Sequence, residues 1–211
     1  MSTPAATSAI HCRLMMASDL GRVPIGHQGD AEQVARRIAE LGSSAVLAFD
    51  GDAHVGQLQF RLHVPGTRSP AGLHDPLYWG DFGEHEPSLP TGALGLFCYH
   101  VGQLDDTDAR DARYQGRGIG AQLLDTLLAW ADERGAPALV AKAVPPHRPV
   151  MAFMGGQPPA VYEERGFTTV ASWVDADLRA VVARDGLAPA GVSLDDASRV
   201  SCCVRRPPGA A

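Results

Sequence analysis

The stretch Tyr114-Gln115-Gly116-Arg117-Gly118-Ile119-Gly120-Ala121 decides how the rest of the chain is read. Glycine stands at every second position from 116 to 120. Directly behind it, Gln122 to Arg134 has the best helical pattern in the sequence, with Leu123, Leu124, Leu127, Leu128 and Ala131 on one face. A glycine turn that opens a helix leaves several backbone N–H groups unpaired and pointing one way, and the helix dipole adds partial positive charge there. Such a place receives a phosphate or pyrophosphate. Glycine lets phosphate oxygens approach the backbone closely and supplies the positive φ these loops often need. Arg117 adds one mobile positive charge.

Three phosphate-binding patterns compete for this stretch. A Walker A loop needs Lys-Ser or Lys-Thr after its last glycine, whereas Ala121-Gln122 follow here. A dinucleotide fingerprint is satisfied in letters by Gly116, Gly118 and Ala121. It requires a buried strand immediately before it, yet Asp105 to Tyr114 is polar and acidic. The third pattern is Gln/Arg-x-x-Gly-x-Gly/Ala, matched by Gln115, Gly118 and Gly120.

Working outward, Asp30 caps a helix over Ala31 to Leu41, which Gly42 closes. Strands are expected at Ile10 to Met15, Ser44 to Asp50 and Ala53 to Val64, the last two joined by a Gly51-Asp52 hairpin turn. Ala93 to Val101 reads as a strongly apolar strand, and Gly102 to Arg113 as an acidic connection to the glycine loop. Ala138 to Val144 is a short buried strand, and Pro145 to Pro159 reads as irregular. Ala160 to Arg165 is a short helix closed by Gly166, and Phe167 to Val174 a β-branched strand. A helix over Asp175 to Arg184 and a last strand over Arg199 to Arg205 complete the pattern.

Two segments resemble one family, the GNAT N-acetyltransferases. Gln115 to Gly120 is similar to its acyl-CoA loop, and Tyr162-Glu163-Glu164-Arg165-Gly166-Phe167 to its Tyr-x-x-x-Gly-Phe signature. The order of elements between and before them agrees. The resemblance implies an α/β (α+β) acyl-CoA N-acyltransferase fold: a mixed, mostly antiparallel sheet, splayed after its fourth strand and flanked by helices. It implies a domain over 10–174 with an insertion at 65–92. A disordered start at 1–9 precedes it, and an extension over 175–211 follows, contributing the strand at 199–205. It further implies acetyl-CoA as co-substrate. Backbone groups of Tyr99, His100 and Val101 would pair with the pantetheine amides, and those of Gln115, Gly116, Arg117, Gly118, Ile119, Gly120 and Ala121 would hold the pyrophosphate. Tyr162 matches the tyrosine that protonates the departing thiolate. Many relatives carry an asparagine about seven residues before that tyrosine, where Gly155 stands here.

Acyl transfer from a thioester to an amine needs a neutral amine, a stabilised oxyanion and a protonated leaving thiolate. A phenol's reference pKa of about 10 lies near a thiol's, which suits Tyr162 to the last role. His100, beside the proposed acyl position, is a candidate base; Glu84 and Glu86 are alternatives acting through water. Cys98 in an apolar strand reads as inert filling rather than as a covalent acyl carrier. His74, Asp75, Glu84, His85 and Glu86 lack a recognised ligand spacing, so no metal is expected.

Composition narrows the classes. A net charge of -6 on 211 residues argues against nucleic-acid binding. No apolar stretch is long enough to span a membrane, and no signal peptide is visible. Cys12, Cys98, Cys202 and Cys203 show no C-x-x-C spacing and suit free thiols in a reducing cytoplasm. Scattered loop acids such as Asp105, Asp106, Asp108 and Asp111 would draw a cationic amine. The expected partner is a small-molecule or peptide amine, and a homodimer is among the states the resemblance implies. Two other readings stay open: an acyl-CoA-binding sensor of the same fold, and an NAD(P)- or nucleotide-binding α/β protein. The second requires the strand before the glycine loop to run parallel to its neighbours.

Overall fold

A computed structural model describes residues 9–66, 82–105, 107 and 109–207. The expectations for the chain start, for most of the insertion at 65–92 with His74 and Asp75, and for Asp106 and Asp108 lie outside these residues. Among the described residues seven strands form one sheet: β1 (Ile10–Leu14), β2 (Ala45–Asp50), β3 (Ala53–Leu62), β4 (Leu94–Val101), β5 (Leu139–Ala143), β6 (Thr168–Val174) and β7 (Arg199–Arg205). Their spatial order is β1-β2-β3-β4-β5-β7-β6. All neighbours are antiparallel except β4 and β5. The strand before the glycine loop is thus parallel to β5 but antiparallel to β3, whereas a dinucleotide-binding sheet has this strand parallel on both sides.

The helices are α1 (Ala31–Leu41), α2 (Ile119–Glu133), α3 (Arg148–Met154), α4 (Pro159–Glu163), α5 (Ala176–Asp185) and α6 (Leu194–Ala197). Helix α1 forms where the sequence places it. The Asp30 carboxylate accepts from Gln33 N–H, the Gln33 side chain reciprocates, and Gly42 ends the helix at φ 87°. Helix α2 begins three residues earlier than its apolar pattern suggests, so Gly120 lies inside its first turn. Its buried stripe, Leu123, Leu124, Leu127 and Leu128, packs on one face of the sheet with Val46, Leu58, Phe60, Leu96 and Tyr99. On the other face α1 covers Met15, Ala45, Leu47 and Phe49, and α5 packs with α3 and α6 around Val150, Leu178, Val182 and Val200.

The sheet opens at one defined point. Strand β5 pairs with β4 only over Leu94 to Leu96. Next to that limit, the β3–β4 register slips: Phe60 faces Leu96 while Gln59 faces Cys98, leaving Phe97 as the extra residue. A bulge bends its strand and raises the local twist. Past Phe97 β4 turns away, while β5 continues along β7 to Ala143. Strand β7, last in the chain, lies between β5 and β6. All four cysteines are free, and burial pushes the Cys202 thiol up to about 12. Among the described residues no helix is long and apolar enough to cross a membrane.

Candidate active site

The opening in the sheet faces the start of α2, and between them lies a cleft of about 400 Å³. Gly116 and Gly118 both adopt left-handed backbone, with φ 72° and 74°. Gly118 is the N-cap of α2 and brings no capping side chain, and the first intrahelical bond runs from Gln122 N–H to Gly118 O. The N–H groups of the first turn therefore lack helix partners. Ile119, Gly120 and Ala121 line the cleft, as do Gln115, Gly116 and Gly118. The first turn holds no acidic side chain that would oppose an anion.

Arginines surround this mouth. Arg110, Arg148 and Arg165 line the cleft. The Arg148 guanidinium reaches over the loop, 3.1 Å from where a Gly116 Cβ would stand. Arg165 is held by Asp125 at 2.6 Å and by Val161 O at 2.9 Å. Arg117, named from the sequence, is not among the lining residues. Its guanidinium packs 5.5 Å from the Tyr114 ring centroid and 3.8 Å from an Asp50 oxygen.

Strand alternation divides β4 between two environments. Tyr99 and Val101 line the cleft on the α2 side. The Tyr99 N–H donates to Gly155 O at 2.8 Å. Gly155 has φ 56°, and a Cβ there would lie 2.9 Å from Cys98 Sγ and 3.0 Å from Tyr99 O. No side chain fits so close an approach, which gives a physical reason for glycine where relatives of the motif carry asparagine. Tyr162, on α4, is buried and stacks edge-on against Phe167 at 5.2 Å. Burial raises its pKa, offset in part by the Tyr99 hydroxyl beside it; Tyr99 is raised well above its usual value, first by burial and then by Tyr162. The Tyr99 hydroxyl has no hydrogen bond of good geometry.

Cys98 and His100 point to the other face, opposite Gln59 and Gln57 of β3. The amides of Gln57 and Gln59 donate to Pro24 O and Ile25 O, each at 3.0 Å, and fasten the segment 24–28 over this face. His100 is fully buried. Its ring lies 4.7 Å from that of His27, and Arg110 Nη2 donates to its Nδ1 at 3.0 Å. Burial, then His27 and Arg110, hold His100 well below its usual pKa, so it is neutral. A guanidinium only donates, so the His100 proton sits on Nε2. In this arrangement His100 offers an N–H and not a basic lone pair.

Among the described residues His27, Cys98 and His100 bring one ligand atom each within 4.8 Å of one another. Cys98 Sγ lies 3.6 Å from His27 Nδ1. The Arg110 contact works against a metal ion: ligation through Nε2 needs a proton on Nδ1, facing the guanidinium, and ligation through Nδ1 displaces it. The other candidate bases stand outside the cleft. Glu84 is exposed, and Glu86 lies 2.8 Å from His63. His85 stacks on Trp173 at 4.6 Å.

The sequence reading missed Arg110, Arg148 and Gln157. Arg110 was passed over inside an acidic connection. Arg148 and Gln157 sit in a stretch whose prolines and glycines hid the short helix α3.

Residues 107–155 match the model of the acetyltransferase (GNAT) family, from the connection through the glycine loop, α2 and β5 to Gly155. The match ends before Tyr162. Comparison with curated proteins finds no match. Similar solved structures include an acetyltransferase of the GNAT family from Streptococcus pneumoniae, with 13% identity over 94% of this chain and 99% of that one and a TM-score of 0.49. The GphF GNAT-like decarboxylase in complex with isobutyryl-CoA shares 18% identity over 93% and 98%, with a TM-score of 0.48. The ribosomal-protein-S18-alanine N-acetyltransferase from Escherichia coli shares 12% over 94% and 94%, with a TM-score of 0.46.

Proposed function

We propose that this chain, a GNAT-family acyltransferase, moves an acetyl group from acetyl-CoA to a primary amine by direct attack within a ternary complex. One observation carries the reading: uncapped N–H groups at the start of α2 border a cleft that runs into the opening between β4 and β5. Pyrophosphate held at that helix start would direct the pantetheine arm along Tyr99 and Val101. Arg148 would close over the phosphates. The thioester carbonyl would take the Tyr99 N–H, for which the Gly155 carbonyl must give way. Tyr162 would then return a proton to the thiolate, directly or through the Tyr99 hydroxyl. The free thiols are in keeping with a cytoplasmic protein.

A thermal-shift comparison tests the ligand class. Acetyl-CoA and CoA raise the melting temperature, while NAD and ATP leave it within error; a larger shift with NAD would sink the assignment. Tyr162→Phe is expected to lower kcat about tenfold or more with little change in acetyl-CoA affinity, measured by release of CoA thiol.

The Gly155 carbonyl on Tyr99 N–H favours a second reading, a sensor that binds acyl-CoA without transferring it. Binding of acetyl-CoA with no thiol released across a broad amine panel would select it.

A further inference from the structure

We propose that Arg110 recognises a carboxylate on the amine acceptor, so that the substrates are amino acids or other amines carrying an acid group. This rests on the transfer reading above. Arg110 lines the cleft on one side and reaches His100 on the other, so its guanidinium stands where the cofactor cleft meets the polar face of β4. Nη2 is engaged by His100, whereas Nη1 is buried without a hydrogen-bond partner. A buried cationic N–H with no acceptor is costly, and the acceptor it suits best is anionic.

The side chains that β3 and β4 present on the adjoining polar face include no carboxylate. The polar face presents Gln57 and Gln59 from β3 and Cys98 and His100 from β4, and Arg61 follows on the same side of β3. Burial, and then the charge of Arg37, bring Arg61 down to about 10. Among the described residues Asp111, next in the chain to Arg110, is held by Arg113 at 2.6 Å, and Glu164, which lines the same cleft, lies 3.6 Å from Arg165. Asp19 is bound by Arg13 at 2.7 Å, and Glu40, on the exposed side of α1, acts on Arg37. A polyamine would meet cations here, whereas an amino acid would bring the missing anion.

The connection that supplies Arg110 is longer than a strand-to-loop link requires. It is closed at its base by Asp111 N–H on Gly102 O at 2.8 Å, which delivers Arg110 back to the end of β4. The Arg110 charge also favours the neutral form of an incoming ammonium group, which eases the demand for a strong base. His100, accepting from Nη2 at 3.0 Å, fixes the direction in which Nη1 points.

The test sets the common L-amino acids against their carboxamides and against spermidine, with acetyl-CoA, reading CoA thiol release. Acids are expected to exceed their own amides in kcat/KM by about tenfold or more, the usual worth of a charge-assisted contact. Arg110→Gln is expected to reduce that preference to within about twofold while acetyl-CoA KM stays within about twofold; Arg110→Lys restores part of it. Equal use of amides, preference for spermidine, or a raised acetyl-CoA KM in Arg110→Gln overturns the proposal. If no amine releases thiol, the transfer reading fails. Dialysis of acid and amide pairs with CoA present still decides Arg110: an acid preference lost in Arg110→Gln upholds it, and no preference overturns it.

Discussion

The two faces of β4 differ in almost every respect except burial. Toward α2, Leu94, Leu96 and Tyr99 join the largest apolar cluster, where packing alone fixes each side chain. Toward the segment 24–28, Cys98 and His100 sit among amides and imidazoles that are held by directed hydrogen bonds. The first face gains stability from area removed from water and tolerates no cavity. The second gains little net energy from each bond but loses much if a bond is left unmade. The bulge at Phe97 makes this division: it puts Leu96 and Tyr99, an odd number of residues apart, on the same apolar face and turns Cys98 and His100 to the polar one.

The largest expected effect comes from breaking the apolar face. Leu127→Ala, at a fully buried position of α2, is expected to cost about 3 kcal/mol, read as a lower urea midpoint with unchanged slope. Acid attacks the polar face instead. His54, on β3 with its ring 5.8 Å from that of Phe49, acts on His100 and is itself lowered to about 4 by burial, with the Gly56 and Gln103 backbone and Asp19 opposing that shift. The unfolded chain then binds a proton that the native state refuses, so stability is full above about pH 6.5 and falls as pH drops toward 4. The loss is at most about 3 kcal/mol by linkage, and His100 shifts in the same direction. Thermal unfolding between pH 7 and 4.5 should show it, and His54→Gln should flatten the slope; a stability that rises on acidification would contradict the assignment. The smallest effect is Gln57→Ala. It is expected to cost about 1 kcal/mol overall, yet to speed amide exchange at 24–28 selectively. Uniform acceleration across α2 as well would erase the distinction between the faces.

Much of this division was legible in the sequence. The unbroken apolar run of Ala93 to Val101 and the leucine stripe of α2 record burial directly, and Asp30 with Gly42 marks both ends of α1. The glycine loop was legible because its chemistry is local. What stayed hidden depends on contacts distant in the chain. The bulge at Phe97 has no signature of its own, since it is defined by the partner strand. Gly155 reads as a loop residue until β4 is seen against it. Arg110 belongs to a connection whose composition suggested attraction of cations, whereas its own side chain turns inward to His100. Helix α3 has only seven residues, with Pro149 in its first turn, too short for periodicity to register.

The position of β7 has a consequence for how the molecule is made. Strand β7 is inserted between two strands that precede it in the chain, so β5 and β6 each present an open edge until residues 199–205 leave the ribosome. Those edges carry free backbone groups and invite pairing with other chains. Pairing of β5 and β6 therefore waits on residues 199–205, and a product cut short near Val174 would keep β4, α2 and β5 around the cleft while remaining a template for aggregation.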